Sequence, residues 1–175
     1  MEKSLFRFRQ SKPLTPLTVA AAVVAVIVLL GVLAGILFWF SSSKTPVTAE
    51  EFAAAAEAHG LTVTEAALTE SELSLCQRFL QVSKPGVSDF QLCYYALTDN
   101  STAQAVYSNC KAAFAEEAGN VSSSTNINLG SYGSYTLTTN GTYYFCACLD
   151  DTLIAAQVSE DYKAELKDII RELGY

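Results

Sequence analysis

Histidine is almost absent from this sequence, and the motifs of common enzyme classes are missing. His59 is the only histidine among 175 residues. A Cys–His catalytic pair needs its imidazole beside the thiol, and no cysteine is spaced to meet His59. G-x-S-x-G, P-loop, H-E-x-x-H and dinucleotide-binding motifs do not occur. We therefore predict no catalytic residue and no cofactor, and we interpret His59 as a helix-end residue.

Cysteine spacing typical of a metal site is also missing. Structural zinc sites use C-x2-4-C pairs together with histidine, whereas Cys146 and Cys148 form a C-x-C. The acid pairs Asp150-Asp151 and Glu160-Asp161 are explained by a turn and by a helix start. The sequence therefore predicts no metal site.

Basic residues are scarce beyond residue 40. Seven lysines and arginines stand there against seventeen acidic residues, a balance of 7 − 17 = −10. Nucleic acid and anionic lipid both require a basic surface, so neither is expected as a partner. The first 17 residues differ, because they carry four basic residues against Glu2, a balance of 4 − 1 = +3.

Charge is missing altogether from Val19 to Phe40. A helix of about 22 residues is about 33 Å long, enough to cross the apolar part of a bilayer. We predict a single transmembrane helix over residues 18–40, which makes the protein integral to the cell membrane. Because Lys and Arg near a span favour the cytoplasmic side, residues 1–17 are expected to be a cytoplasmic basic tail. Residues 41–175 are then outside.

Alternative interpretations exist for two features near this segment. Val47-Thr48-Ala49 resembles a cleavage triplet, so cleavage after Ala49 is the alternative to a retained anchor. The apolar run exceeds the ~7–15 residues of a signal peptide, which favours the anchor. Gly31 and Gly35 form a G-x-x-x-G, a candidate helix-dimer face, although glycine is common in transmembrane helices in any case. Residues 41–47 are expected to be a short polar tether.

The remaining residues, 48–175, are predicted to form one extracytoplasmic α+β domain. Pro85-Gly86 and Asn140-Gly141 are hairpin turn signals. Residues 121–130 are expected to be a Ser/Thr/Asn-rich loop, and 61–64 a short strand. Periodicity predicts the main order α-β-β-α-β-β-β-α, an antiparallel sheet with helices packed on it.

The strands after residue 130 place alternate residues on opposite faces of the sheet. One face is uniformly apolar and is assigned to the core beneath the helices: Tyr143, Phe145, Ala147, Leu149, Ile154, Ala156 and Val158. The other face is rich in tyrosine and cysteine. We predict that it is open and that Tyr135, Tyr144, Cys146 and Cys148 form a partner face. The alternative is that helices cover both faces.

An oxidising exterior would allow disulfides among the five cysteines. The candidates for at least one disulfide are Cys76, Cys93, Cys146 and Cys148, and five free thiols are the alternative. A two-residue turn at Pro85-Gly86 would place Arg78 opposite Cys93. Cys110 lies in the apolar stripe of a helix and is expected to be a buried free thiol.

Four segments of the chain resemble a known group of proteins. They are TAEEFAAAAEAHGLTVTEA, DFQLCYYALTDNSTAQAVYSNCKAAF, YTLTTNGTYYFCACLDDTL and KDIIRELGY. Together they are similar to uncharacterised small membrane-anchored extracytoplasmic domain proteins of Gram-positive bacteria. The resemblance covers roughly residues 48–175 and implies an anchored domain, but it supplies no site residues.

We therefore expect a non-enzymatic, membrane-anchored binding module whose partner is a protein or an envelope component. The alternative is a structural module of an envelope complex that forms homo-oligomers. A thiol or redox protein using Cys146 or Cys148 is a third, less favoured hypothesis.

Overall fold

The computed structural model describes residues 44–119 and 122–175 of the chain. The predicted tail (1–17) and transmembrane helix (18–40), with Gly31 and Gly35, lie outside these residues and stay predictions. Within the described residues, no helix is both long and apolar enough to span a bilayer.

Four helices and seven strands form the described fold. The helices are α1 (Ala49–Ala58), α2 (Glu70–Leu73), α3 (Asn100–Glu116) and α4 (Lys163–Glu172), with a 3-10 turn at Glu160–Tyr162 before α4. The strands are β1 (Thr62–Glu65), β2 (Cys76–Lys84), β3 (Val87–Leu97), β4 (Ser122–Leu129), β5 (Tyr132–Thr139), β6 (Thr142–Leu149) and β7 (Thr152–Ser159).

The strands make one antiparallel sheet in the order β1-β2-β3-β7-β6-β5-β4. The predicted α+β class, an antiparallel sheet with packed helices, is confirmed. The Asn140-Gly141 turn is confirmed as well, because both residues have positive φ, 51° and 76°, as a type I′ turn requires. This turn sets Thr139 opposite Thr142, so the predicted side-chain alternation of β5 and β6 is correct.

Helices α1 and α4 cover the first face of the sheet. Thr48 caps α1 by accepting a hydrogen bond from the Glu51 amide, and the Glu51 carboxylate accepts one from the Thr48 amide. Phe52 of α1 is completely buried and stacks on Tyr94 of β3, with ring centroids 5.0 Å apart. Six of the seven side chains assigned to the core from sequence lie in this cluster, and the seventh, Leu149, is also buried.

Helix α3 covers the second face, because the chain must cross the sheet between β3 and β4. Those strands are separated by β7, β6 and β5, a distance of four strand spacings or about 19 Å. The 17 residues of α3 span about 25 Å as a helix, enough for the crossing. Ala103 and Tyr107 of α3 are buried against this face.

The structure contradicts two sequence predictions, the loop over residues 121–130 and the register of the β2–β3 hairpin. Residues 122–129 are the edge strand β4 and not a loop, paired with β5 along its full length. Their polarity follows from the edge position, because all eight side chains are exposed. In the β2–β3 hairpin, Arg78 lies opposite Ala96 and Gln81 opposite Cys93, because a bulge after Ser83 shifts the register.

Gly133→Ala tests the packing of α3 on β5. A Cβ at Gly133 would lie 2.9 Å from Cε1 of Tyr107 and 3.1 Å from Sγ of Cys148. We expect overpacking of this kind to lower the free energy of unfolding by about 1–3 kcal/mol, measured by chemical denaturation. Gly119→Ala is the control, since its nearest contacts would be 3.5 Å away. Equal stability of the two variants would contradict the placement of α3.

Candidate functional site

Helix α4 carries a row of basic residues beside the sheet. Lys163, Lys167 and Arg171 are spaced by four residues and therefore share one side of the helix. Leu166 and Ile169, on the inner side, are completely buried in the first-face core. The amphipathic pattern of α4 thus fixes the direction in which the basic row points.

A cleft of about 280 Å³ lies between α4 and β6, and we call it the basic cleft. It is lined by Tyr143, Phe145, Leu166, Lys167, Ile170, Arg171 and Tyr175. The Lys163 and Lys167 ammonium groups lie 5.0 and 5.8 Å from the centroid of the Tyr143 ring. Nζ of Lys163 also donates a 3.0 Å hydrogen bond to Thr138 Oγ1. Aromatic rings and ammonium groups therefore share one concave surface.

The basic cleft stands out against the acidity of the domain. Three of the seven basic residues beyond residue 40 lie in the basic row of α4. A fourth, Lys44, lies with its ammonium group 4.0 Å from the centroid of the Tyr132 ring on β5. Of the other basic residues, Arg78 pairs with Glu50 and Glu65, and Lys84 lies 2.5 Å from Glu165.

Charge neutralisation at the cleft is partial. Arg171 pairs with Asp168 at 2.5 Å, and Lys163 is 3.7 Å from Glu160. Among residues 44–119 and 122–175, no carboxylate lies within ion-pair distance of Lys167. The cleft therefore presents cationic groups of the kind that bind carboxylate or phosphate.

In the part of the chain that the structure describes, no histidine, cysteine or carboxylate side chain lines the cleft. Its ionisable residues are two tyrosines, a lysine and an arginine. His59 lies elsewhere, at the end of α1 as predicted, with Nε2 3.1 Å from Glu172 Oε2. A second cleft, of about 320 Å³, has Asp89 as its only ionisable lining residue. Within the described residues, no cluster of His, Cys, Asp and Glu suits a metal ion.

The predicted partner face is covered, so the expectation of an open face is wrong. Tyr135 and Tyr144 are 7% exposed, and Cys146 and Cys148 are fully buried. Phe114 of α3 packs on Tyr144 with ring centroids 5.0 Å apart. The physical cause is the α3 crossover, which lays an apolar helix face over these side chains.

The four cysteines predicted as disulfide partners do not meet one another. Cys93 and Cys146 both lie opposite Ala155, on either side of β7, so their Cα atoms are about 10 Å apart. A disulfide requires less than about 7 Å. Cys76 lies opposite Leu97, four residues from Cys93 along β3. All five cysteines are free thiols in the structure.

Cys110 is half-buried on α3 and packs against the buried cluster on the second face of the sheet, which contains Cys146. Interaction with the Cys146 thiol lowers the pKa of Cys110, and interaction with Cys110 together with burial raises the pKa of Cys146. The helical stripe predicted burial of Cys110 but not which strand lies beneath it.

Comparison with protein-family models, with curated proteins and with solved structures finds no match to this chain. The assignment of a function therefore depends on the geometry of the domain and on the predicted anchor.

In the reduced protein, Cys110 is expected to be the first thiol alkylated by iodoacetamide at pH 8. Its pKa is lowered by the Cys146 thiol, whereas burial raises the pKa of Cys93 and of Cys148. We expect Cys110 to react about tenfold faster than Cys148, because thiolate is the reactive form. Peptide mass spectrometry measures each rate, and urea-unfolded protein is the control. Equal rates in the folded protein would contradict the geometry.

Proposed function

We propose that this protein is a single-pass membrane-anchored extracytoplasmic binding module and that the basic cleft holds an acidic ligand. The ligand is a carboxylate- or phosphate-bearing segment of a partner protein or envelope component. The observation that carries the proposal is the clustering of three basic residues, Lys163, Lys167 and Arg171, around one cleft lined by aromatic side chains. This cluster lies in a part of the chain, beyond residue 40, whose net charge is −10.

The anchor half of the proposal depends on the uncharged run Val19 to Phe40 and on the basic residues before it. With a tether of residues 41–47, the binding domain stays close to the membrane. An acidic segment of a neighbouring membrane protein or a membrane-linked envelope polymer is then within reach.

The acidic net charge does not prevent an acidic ligand from binding. At 0.1 M salt, exposed charges farther apart than about 10 Å are largely screened. A ligand in the cleft would contact Lys167 and Arg171 directly, and the carboxylates of Asp168 and Glu160 are already paired with members of the basic row. Local attraction therefore decides affinity near physiological salt, while net repulsion slows association at low salt.

Reversing the charge of the cleft tests the proposal. In the full-length protein in detergent, the double variant Lys167→Glu, Arg171→Glu is expected to bind poly-L-glutamate or poly(glycerol phosphate) about tenfold more weakly. Both side chains are exposed, so the thermal midpoint should change little. The dissociation constant, measured by calorimetry for each probe, also tells which of the two acidic chemistries is preferred.

Lys111→Glu is the control for charge reversal away from the cleft, with half the charge change of the double variant, because Lys111 lies over the Tyr135 ring on the opposite face, 5.7 Å from its centroid. That variant should keep wild-type affinity. Equal weakening by Lys111→Glu, or unchanged affinity in the double variant, would contradict a specific cleft.

The β4 edge favours a second candidate function, assembly of a homo-oligomer. Its eight residues are exposed and uncharged, and they include the apolar side chains of Ile127 and Leu129, which are 42% and 62% exposed. An unprotected edge strand of this kind can pair with the same strand of a second copy. Such pairing would extend the seven-stranded sheet across a two-fold axis.

Thr125→Lys tests assembly through β4, because a lysine on an edge strand blocks strand pairing. If the edge forms the interface, the full-length protein should change from dimer to monomer in light scattering, with little change in its thermal midpoint. Thr64→Lys, on the opposite edge strand β1, is the control and should leave the size unchanged. A monomeric wild-type protein, or an unchanged dimer in Thr125→Lys, would exclude this interface.

A further inference from the structure

Helix α3 does not cover every part of the second face of the sheet. Where β3 begins and β7 ends, Gln91 and Gln157 lie directly opposite each other, and both side chains are exposed. The residues next to them in sequence, Phe90 and Val158, are buried in the first-face core, so the two glutamines point to the second face. A pair of adjacent amide groups is therefore accessible at this end of the sheet.

The two glutamines belong to the second cleft, of about 320 Å³, which we call the polar cleft. Its other lining residues come from the start of β3, the β5–β6 turn and the paired ends of β6 and β7: Ser88, Asp89, Gly141, Thr142, Val158 and Ser159. The volume is at the lower end of the range of about 300–1,000 Å³ that is typical of small-ligand sites. Because Val158 is fully buried, the side chains that reach the cleft carry hydroxyl, amide and carboxylate groups.

These polar groups are available to a ligand. Among residues 44–119 and 122–175, the side chains of Gln91, Gln157 and Asp89 make no hydrogen bond to another group of the protein. Amide and hydroxyl side chains both donate and accept hydrogen bonds, and a carboxylate accepts at two oxygens. This set of groups matches a ligand that carries several neighbouring hydroxyl groups, as a sugar does.

The charge of the polar cleft selects against ionic ligands. No basic side chain of the described residues lines it, and Asp89 is its only ionisable group. An anion would meet this carboxylate in a part of the chain whose net charge is −10. A cation would gain little, because Asp89 is exposed and exposed ion pairs contribute little to affinity. Hydrogen bonding to a neutral ligand is the interaction that remains.

We propose that the polar cleft binds a neutral saccharide, at a site separate from the basic cleft. The amide groups of Gln91 and Gln157 exchange hydrogen bonds with hydroxyl groups of the ligand, and the Asp89 carboxylate accepts from two neighbouring hydroxyls. The site does not depend on an acidic ligand in the basic cleft, because the two clefts share no lining residue.

Calorimetric titration of the full-length protein with maltotetraose and with N-acetylchitotetraose tests the proposal. An amine-oxide detergent is required, because the head group of a maltoside detergent is itself a sugar. We expect at least one of the two saccharides to bind and the double variant Gln91→Ala, Gln157→Ala to bind it at least about tenfold more weakly, as the loss of two or more hydrogen bonds predicts. Both side chains are exposed, so the thermal midpoint should change little.

Gln77→Ala is the matched control, because Gln77 is an exposed glutamine at the other end of β2, and it should keep wild-type affinity. Raising NaCl from about 50 to about 500 mM should change saccharide affinity less than about twofold, since only charged ligands are screened. Lys167→Glu, Arg171→Glu should also leave it unchanged, which separates this site from the basic cleft. No binding of either saccharide, equal weakening by Gln77→Ala, or tighter binding of spermine that salt abolishes would overturn the proposal.

Discussion

The packing of α3 across the second face of the sheet is the constraint on which the rest of the domain depends. Strand β3 is inside the sheet and β4 is at its edge, so the connection must pass over three strands. An apolar stripe on α3 makes the passage favourable, because it buries Tyr107 against β5 and β6. With α1 and α4 on the other face, both faces of the sheet are covered. The surfaces that these helices leave accessible include the basic cleft between α4 and β6 and the edge strand β4.

Local signals in the sequence predicted elements well but predicted their arrangement poorly. The Asn140-Gly141 turn and the alternation of β5, β6 and β7 are short-range features, and the structure agrees with them. Strand β4 was missed because an edge strand with both faces exposed has no hydrophobic alternation. The tyrosine- and cysteine-rich face was expected to be open because antiparallel sheets commonly leave one face to solvent, whereas the α3 connection between β3 and the β4 edge covers it.

The candidate site also depends on contacts between distant parts of the chain, which local sequence signals do not predict. The four-residue spacing of Lys163, Lys167 and Arg171 is present in the sequence but was not recognised as a site, because their position beside Tyr143 depends on how α4 docks on the sheet. Cys110 was expected to be a buried free thiol because it lies in the apolar stripe of a helix, but the strand residues that it packs among, such as Cys146, are distant in sequence. Contacts between a helix and a distant strand leave no periodic pattern in the sequence. Residue spacing therefore shows which side of a helix a residue lies on, but not which strand residue it contacts.

The central claim is that ligands meet the first face at α4 and not the second face at α3. Hydrogen–deuterium exchange of the full-length protein, with and without poly-L-glutamate, tests this claim most directly. The account predicts slower exchange in residues 163–172 on adding the polymer, with unchanged exchange in residues 100–116. Slower exchange in residues 100–116, with none in 163–172, would contradict it.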